Sequence, residues 1–165
     1  MKKSPIALRI ISLILIIGWM GLIFYLSHQN ADSSSNMSAG LIKRVLQVFI
    51  PETGSDEMTS IIASLQFIVR KTAHLTLYLI LGVLCLLHFS TYNRLSLFLK
   101  SFLSFIISAL YAVSDEYHQT YILGRSGEIR DVLIDSLGAI IGILLALIIY
   151  KILKVVKNKS VPRVQ

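Results

Sequence analysis

The chain has 165 residues, of which 55% are hydrophobic and only 15% are charged, and its formal net charge is +7. Its mean hydropathy is +0.72, and a soluble domain would carry about 25% charged residues. These values exclude a disordered chain, a disulfide-stapled secreted domain and a nucleic-acid-binding domain. They favour an integral membrane protein with a single domain over residues 1–165, in which the lone Cys85 cannot form an internal disulfide.

Four apolar stretches approach the roughly 20 residues that a helix needs to cross a bilayer core. They lie at about 10–26, 73–89, 95–113 and 132–150. Helices satisfy their own backbone polar groups in hydrocarbon. The sequence therefore predicts an all-α, polytopic membrane protein built as a bundle of four transmembrane helices.

The segment between the first two spans, about 27–71, combines a polar Ser/Asn cluster with two amphipathic stretches, LIKRVLQVFI and EMTSIIASLQFIVR. In the second stretch, apolar residues recur at helical spacing on one face. We predict short amphipathic helices here, which cap the bundle or lie in the membrane interface.

Spans two, three and four each carry polar residues on one helical face near one end. The spacings that define these faces are three, four, seven, eight or eleven residues. The faces are Lys71, His74, Tyr78 and Gly82 in span two; Tyr111, Asp115, His118 and Gln119 in span three, with Glu116 off that face; and Asp131, Asp135, Gly138 and Gly142 in span four. The two glycines of span four predict a close helix–helix approach on the side that carries both acids.

Charge in the short flanks predicts the orientation, because cytoplasmic flanks are rich in Lys and Arg. One side would hold both termini and the loop between spans two and three, with ten basic residues and no acids; the other side would hold all nine acids. The basic-only side comprises Lys2, Lys3, Arg9, Arg94, Lys100, Lys151, Lys154, Lys157, Lys159 and Arg163. We expect a multi-pass membrane protein with both termini cytoplasmic and a solvated basic tail at 151–165.

The polar helix ends then meet at the outer interface. An acid in the middle of a membrane helix costs about 2.5–3.5 kcal/mol, so it faces partners rather than lipid. Asp135 lies about 6 Å deeper than Asp131, and its candidate partners include His74, Arg125 and Arg130. We expect an outward-facing pocket that binds a ligand through Arg70, Lys71, His74, Asp115, Glu116, Gln119, Arg125, Asp131 and Asp135.

The chemistry of this pocket has several interpretations. An ionic network can simply fix helix register, and taken singly, His28, Tyr78, Cys85, His88 and His118 are interpreted as structural. Arginines suit a phosphate or carboxylate, and His74 with Asp115 or Glu116 could form a catalytic acid–base pair. Acids and histidines also suit a divalent metal by residue type, but the Asp-Glu-x-His spacing matches no metal signature, so no metal or cofactor is predicted.

Several short motifs together resemble the VanZ-like family of bacterial membrane proteins. They are Ser27-His28-Gln29, Arg70-Lys71-Thr72-Ala73-His74 with Tyr78, Ser114-Asp115-Glu116-Tyr117-His118-Gln119, Gly124-Arg125, and Arg130-Asp131-Val132 followed by Asp135, Gly138 and Gly142. The resemblance implies a four-helix envelope protein, and the family's named member is associated with reduced susceptibility to teicoplanin.

Two hypotheses of function follow. In the first, the pocket binds an anionic lipid, a lipid-linked cell-wall precursor or a glycopeptide, and influences susceptibility to teicoplanin-type antibiotics. In the second, the protein is a membrane-embedded hydrolase or transferase acting on a lipid-linked substrate. Expected partners are membrane lipids and such a precursor or antibiotic, with no nucleic acid.

Overall fold

The computed structural model describes residues 6–49 and 55–159, and the side chains at 31–34, 55–57 and 158–159 are not described. Its described residues form helices and loops with no strand. The helices are α1 (Ile6–Ser27), α2 (Ala31–Phe49), α3 (Ser55–Ser90), α4 (Leu97–Gln119) and α5 (Ile129–Lys159). Of the residues counted above for orientation, Lys2, Lys3 and Arg163 lie outside the described ranges, as does the whole of the predicted tail after Lys159.

Four helices are long and apolar enough to cross a membrane, which confirms the predicted all-α, four-span architecture. The candidate spans are Ile6–Ser27, Met58–Ser90, Leu97–Gln119 and Ile129–Lys157. Large apolar side chains on their outward faces, such as Leu110 and Leu133, are exposed in the isolated chain, as expected of surfaces that face lipid.

The helix boundaries differ from the predicted ones at three places. The second amphipathic stretch is continuous with span two in the 36-residue α3, since no glycine or proline interrupts residues 55–81. The Ser/Asn cluster and the first amphipathic stretch together form α2, which begins at Ala31. The predicted solvated tail continues α5 as far as Lys159, because Pro162 is the first helix breaker after Gly142.

Helices α3 and α5 form the closest pairing of the bundle. A Cβ atom added at Gly138 would overlap the backbone of Leu75, and one at Gly142 would overlap that of Leu79. Gly82 of α3 lies equally close to the backbone of Ala139. The predicted close approach at the two glycines of α5 is therefore confirmed, and it brings the polar faces of both helices together.

Helix α4 packs through small side chains and is tied to α1 by a hydrogen bond. Ser104, Ser108 and Ala112 are fully buried at four-residue intervals, and the two serine hydroxyls donate to carbonyls of their own helix. The Tyr111 hydroxyl donates to the carbonyl of Met20 in α1 at 2.6 Å. These contacts leave the C-terminal end of α4 beside the C-terminal end of α1.

Candidate functional site

Two polar pairs connect α3 and α5, one helical turn apart. Lys71 forms an ion pair with Asp131, and both side chains are about four-fifths buried. One turn further into the bundle, His74 Nδ1 lies 3.7 Å from an oxygen of Asp135, whose side chain is wholly buried. In each pair the two partners face each other, because the glycine contacts hold the polar faces of α3 and α5 together.

Helix α4 adds two buried carboxylates, Asp115 and Glu116, near its C-terminal end. The Ser27 hydroxyl of α1 donates to Asp115 Oδ2 at 2.8 Å. Gln119, one turn later, donates its amide nitrogen to Asp115 at 3.3 Å and to Glu116 at 3.2 Å. Glu116 therefore belongs to the same polar group as Asp115, although helical spacing placed it off that face.

The loop between α4 and α5 returns over these acids. Gly124 adopts a positive φ of 75°, a conformation that glycine adopts without steric cost. Arg125 follows it and donates from Nη1 to the Gln119 side-chain oxygen at 3.0 Å. Gly127 lies against the end of α4, where a Cβ atom would overlap the Glu116 carbonyl, and this approach lets the Glu128 amide donate to Glu116 Oε2 at 3.0 Å.

Two cavities open onto this polar group. The larger, about 600 Å³, lies between α2 and the bundle and is lined largely by apolar side chains such as Leu41 and Leu77. The smaller, about 300 Å³, is mainly polar and lies between α3 and the loop before α5. Arg70, His74 and Arg125 line both cavities, so the two spaces share one basic wall.

The electrostatics of this wall are set by its two arginines. Burial lowers the pKa of the Arg125 guanidinium from its ordinary value, and the positive charge of Arg70 lowers this pKa further, while Asp115 and Glu116 oppose the shift. An arginine remains protonated even so. Both guanidiniums therefore carry their charge, and they repel each other across the space that they line.

All nine predicted pocket residues lie at one end of the bundle. His74, Asp115, Glu116 and Asp135 form its inner part. The smaller cavity gathers the rest: Arg70, Lys71, Gln119, Arg125 and Asp131. Arg130 is exposed at the surface. The grouping is as expected, and ligand binding by these residues stays a prediction.

Two further polar residues take part that the predicted pocket did not contain. Ser27 is buried against Asp115; its only sequence signal is its place in the Ser-His-Gln motif that ends span one. His28, from the same motif, contacts His118 of α4, with Nδ1 3.1 Å from Nε2. The Phe24 and His118 rings also pack together, with their centroids 4.5 Å apart. These contacts of His118 join the ends of α1 and α4 beside the carboxylates.

The profile of the VanZ/LLP1 family matches residues 12–150. The chain belongs to the VanZ/LLP1 family. This match covers all four candidate spans for most of their length and every residue of the polar site. No curated protein and no solved structure shows significant similarity to the chain. The family thus establishes a polytopic membrane protein of VanZ type and leaves its chemistry to be argued from the site.

Proposed function

We propose that this VanZ/LLP1 protein binds the anionic head group of a membrane lipid, or of a lipid-linked cell-wall precursor, in the site described above. The site would lie at the outer face of the bacterial cytoplasmic membrane, with both termini cytoplasmic. Binding there would influence susceptibility to teicoplanin-type glycopeptides, in line with the association of the family's named member.

The observation that carries the proposal is the pair of arginines on the shared wall of the two cavities. Neither Arg70 nor Arg125 forms an ion pair with a described carboxylate, whereas Lys71 is already paired with Asp131. The buried Nε of Arg125 also has no hydrogen-bond partner among the described residues. Guanidinium groups bind phosphate and carboxylate in a bidentate manner. An anion between the two would relieve their repulsion and use the free donor.

The larger cavity supports a lipid rather than a small inorganic anion. Its walls are mainly apolar and come from α1, α2 and α3, with Leu26, Leu41 and Val69 among them. The same cavity reaches Arg70 and Arg125 at its polar end. An amphiphile with an acyl or polyprenyl chain and an anionic head group matches both parts.

The proposed orientation rests on the flanking charges. Arg94 and Lys100 flank the turn between α3 and α4, and Lys151, Lys154 and Lys157 follow the apolar part of α5. These cations lie at the opposite end of the bundle from the candidate site, and no acid accompanies them. Such a flank is typically cytoplasmic, which would leave the site outside.

Native mass spectrometry of the purified full chain tests the proposal. Phosphatidylglycerol and a polyprenyl phosphate serve as anionic probes, and phosphatidylcholine as the uncharged comparison. We expect Arg125→Gln and Arg70→Gln each to weaken anionic binding roughly 10- to 100-fold, the loss of one charge-assisted contact. Arg130→Gln removes the same charge from an exposed position and should retain wild-type binding. Equal binding by all three variants, or equal affinity for phosphatidylcholine, would refute the proposal.

A membrane-embedded hydrolase or transferase is the second candidate. His74 favours it, because this side chain lines both cavities and contacts Asp135 at its inner side. A phosphate held by the arginines would lie near an imidazole with Asp115 and Glu116 behind it. His74→Gln keeps hydrogen bonding and removes acid–base capacity. The protein would be an enzyme if the wild type turns over a lipid-linked phosphate and this variant binds the same substrate without turning it over.

A further inference from the structure

The inner part of the site contains four potential metal ligands from three helices. His74 of α3, Asp115 and Glu116 of α4, and Asp135 of α5 each offer one ligand atom, and these four atoms all lie within 4.8 Å of one another. The donors of a tetrahedral Zn²⁺ site lie roughly 3.3–3.6 Å apart. Side-chain movements of about 1 Å towards a common centre would therefore allow all four to contact one ion.

The lone pairs of this cluster are largely unused. Both oxygens of Asp135, one oxygen of Asp115 and Nδ1 of His74 are buried without a hydrogen-bond partner among the described residues. The 3.7 Å between His74 and Asp135 exceeds hydrogen-bond length. A buried polar atom without a partner costs about 1–3 kcal/mol. The wholly buried Asp135 therefore has two acceptor oxygens that a bound ion could satisfy.

Protein cations can neutralise at most one of these three carboxylates. Among the described side chains, His74 is the only basic group within 4.0 Å of any of the three. Lys71 is paired with Asp131, and Arg125 reaches the acids only through Gln119. Three carboxylates brought together inside a membrane protein must be neutralised, either by shared protons or by a bound cation. A divalent cation would neutralise them at the point where the unused lone pairs meet.

Hydrogen bonds from neighbouring residues already fix the orientation of the Asp115 and Glu116 carboxylates. Ser27 and Gln119 both donate to Oδ2 of Asp115, which leaves Oδ1 free. Gln119 and the Glu128 amide each hold one oxygen of Glu116. Metal-ligating carboxylates are commonly fixed by outer partners in this way.

We propose that His74, Asp115, Glu116 and Asp135 form a binding site for one divalent transition-metal ion, Zn²⁺ or Mn²⁺. One imidazole nitrogen with three carboxylate oxygens suits these ions, since imidazole favours Zn²⁺ and carboxylates favour Mn²⁺. The site is separate from the anion contacts of Arg70 and Arg125. If no metal binds to these four residues, the proposed head-group binding is therefore unaffected.

Metal content of the full chain tests this site. Protein purified with a tag free of histidine is treated with EDTA, equilibrated with Zn²⁺ or Mn²⁺, freed of excess ion and analysed by inductively coupled plasma mass spectrometry. We expect about one ion per chain, and at least a roughly 10-fold lower affinity in Asp135→Asn and in Glu116→Gln. Glu128→Gln and His88→Gln should bind as the wild type does, because the Glu128 side chain is exposed outside the cluster and His88 lies at the other end of α3 beside Ser12.

A second readout guards against variants that fail to fold. Mn²⁺ bound to the wild-type protein should show the electron paramagnetic resonance spectrum of an immobilised ion, and competing Zn²⁺ should abolish it. Wild-type protein that retains neither ion after equilibration would overturn the proposal, because its carboxylates would then be neutralised by shared protons. A folded Asp135→Asn, Glu116→Gln double variant that binds as much metal as the wild type would overturn it too.

Discussion

His74 of α3 and Asp135 of α5 face each other at the inner end of the polar site, with His74 Nδ1 3.7 Å from Asp135 Oδ2. His74 also lines both cavities, whereas Asp135 is wholly buried. The histidine therefore separates the space proposed for an anionic head group from the carboxylates proposed to bind a metal. Both proposals depend on the glycine contacts that bring α3 and α5 together.

The glycine contacts should be required for assembly of the bundle. Gly142→Leu places a side chain into the backbone of Leu79, and we expect a loss of stability of at least about 1–3 kcal/mol, the usual cost of overpacking. Abundance in the membrane and the thermal unfolding midpoint of purified protein would report it. Gly18→Leu is the matched control, because a Cβ atom there meets nothing within 4 Å. An unfolding midpoint equal in the two variants would contradict the packing described here.

The ion pair between Lys71 and Asp131 should stabilise the outer part of the site. Both side chains are about four-fifths buried. Because Lys71→Gln leaves the Asp131 carboxylate without its partner, we expect it to lower the free energy of unfolding by about 1–3 kcal/mol. The exchanged pair Lys71→Asp with Asp131→Lys should recover part of this loss. A double-mutant cycle measures the coupling, and a coupling energy of zero would show that the two residues do not interact.

Ser27 should tie α1 to the carboxylates of α4. Ser27→Ala removes one of the two described donors to Asp115 Oδ2 and leaves Gln119 as the other, at a cost of about 0.5–1.5 kcal/mol for one lost hydrogen bond. Thermal unfolding of purified protein checks this cost. Ser114→Ala is the natural comparison, because the Ser114 hydroxyl is exposed and donates within its own helix. If both variants unfold at the same temperature, the contact with Asp115 contributes nothing.

Cysteine labelling should reveal the orientation. Cys85 is buried, and in a Cys85→Ala background, single cysteines are introduced by Ser126→Cys in the loop beside the site and by Lys154→Cys near the end of α5. A membrane-impermeant maleimide applied to intact cells should label the first position and leave the second unmodified until the cells are opened. The reverse pattern would place the site in the cytoplasm.

The sequence was sufficient to predict the number of spans and, apart from Glu116, the polar faces of spans two, three and four. Spacings of three and four residues placed Lys71 with His74, and Asp131 with Asp135, and the glycines of α5 marked the side where α3 approaches. These features are periodic within one helix, so they are visible without knowing how the helices pack.

Features that depend on packing between helices could not be predicted in the same way. Asp115 and Glu116 are adjacent in sequence and diverge by about 100° around a helix, yet both are buried because Ser27 covers one and the loop at Glu128 covers the other. The four potential metal ligands come from three helices. Of the residues that suited a metal by type, His118 instead contacts His28, and Asp131 pairs with Lys71.

Solid-state NMR on the lipid-bound full chain tests the central claim most directly. Dipolar coupling between the phosphorus of bound phosphatidylglycerol and ¹⁵N-labelled arginine side chains reports which guanidiniums contact the head group, with signals assigned through Arg70→Lys and Arg125→Lys. We predict coupling at hydrogen-bond range to Arg70 and Arg125 and none to the exposed Arg130. Bound lipid whose phosphorus couples to neither Arg70 nor Arg125 would contradict the account.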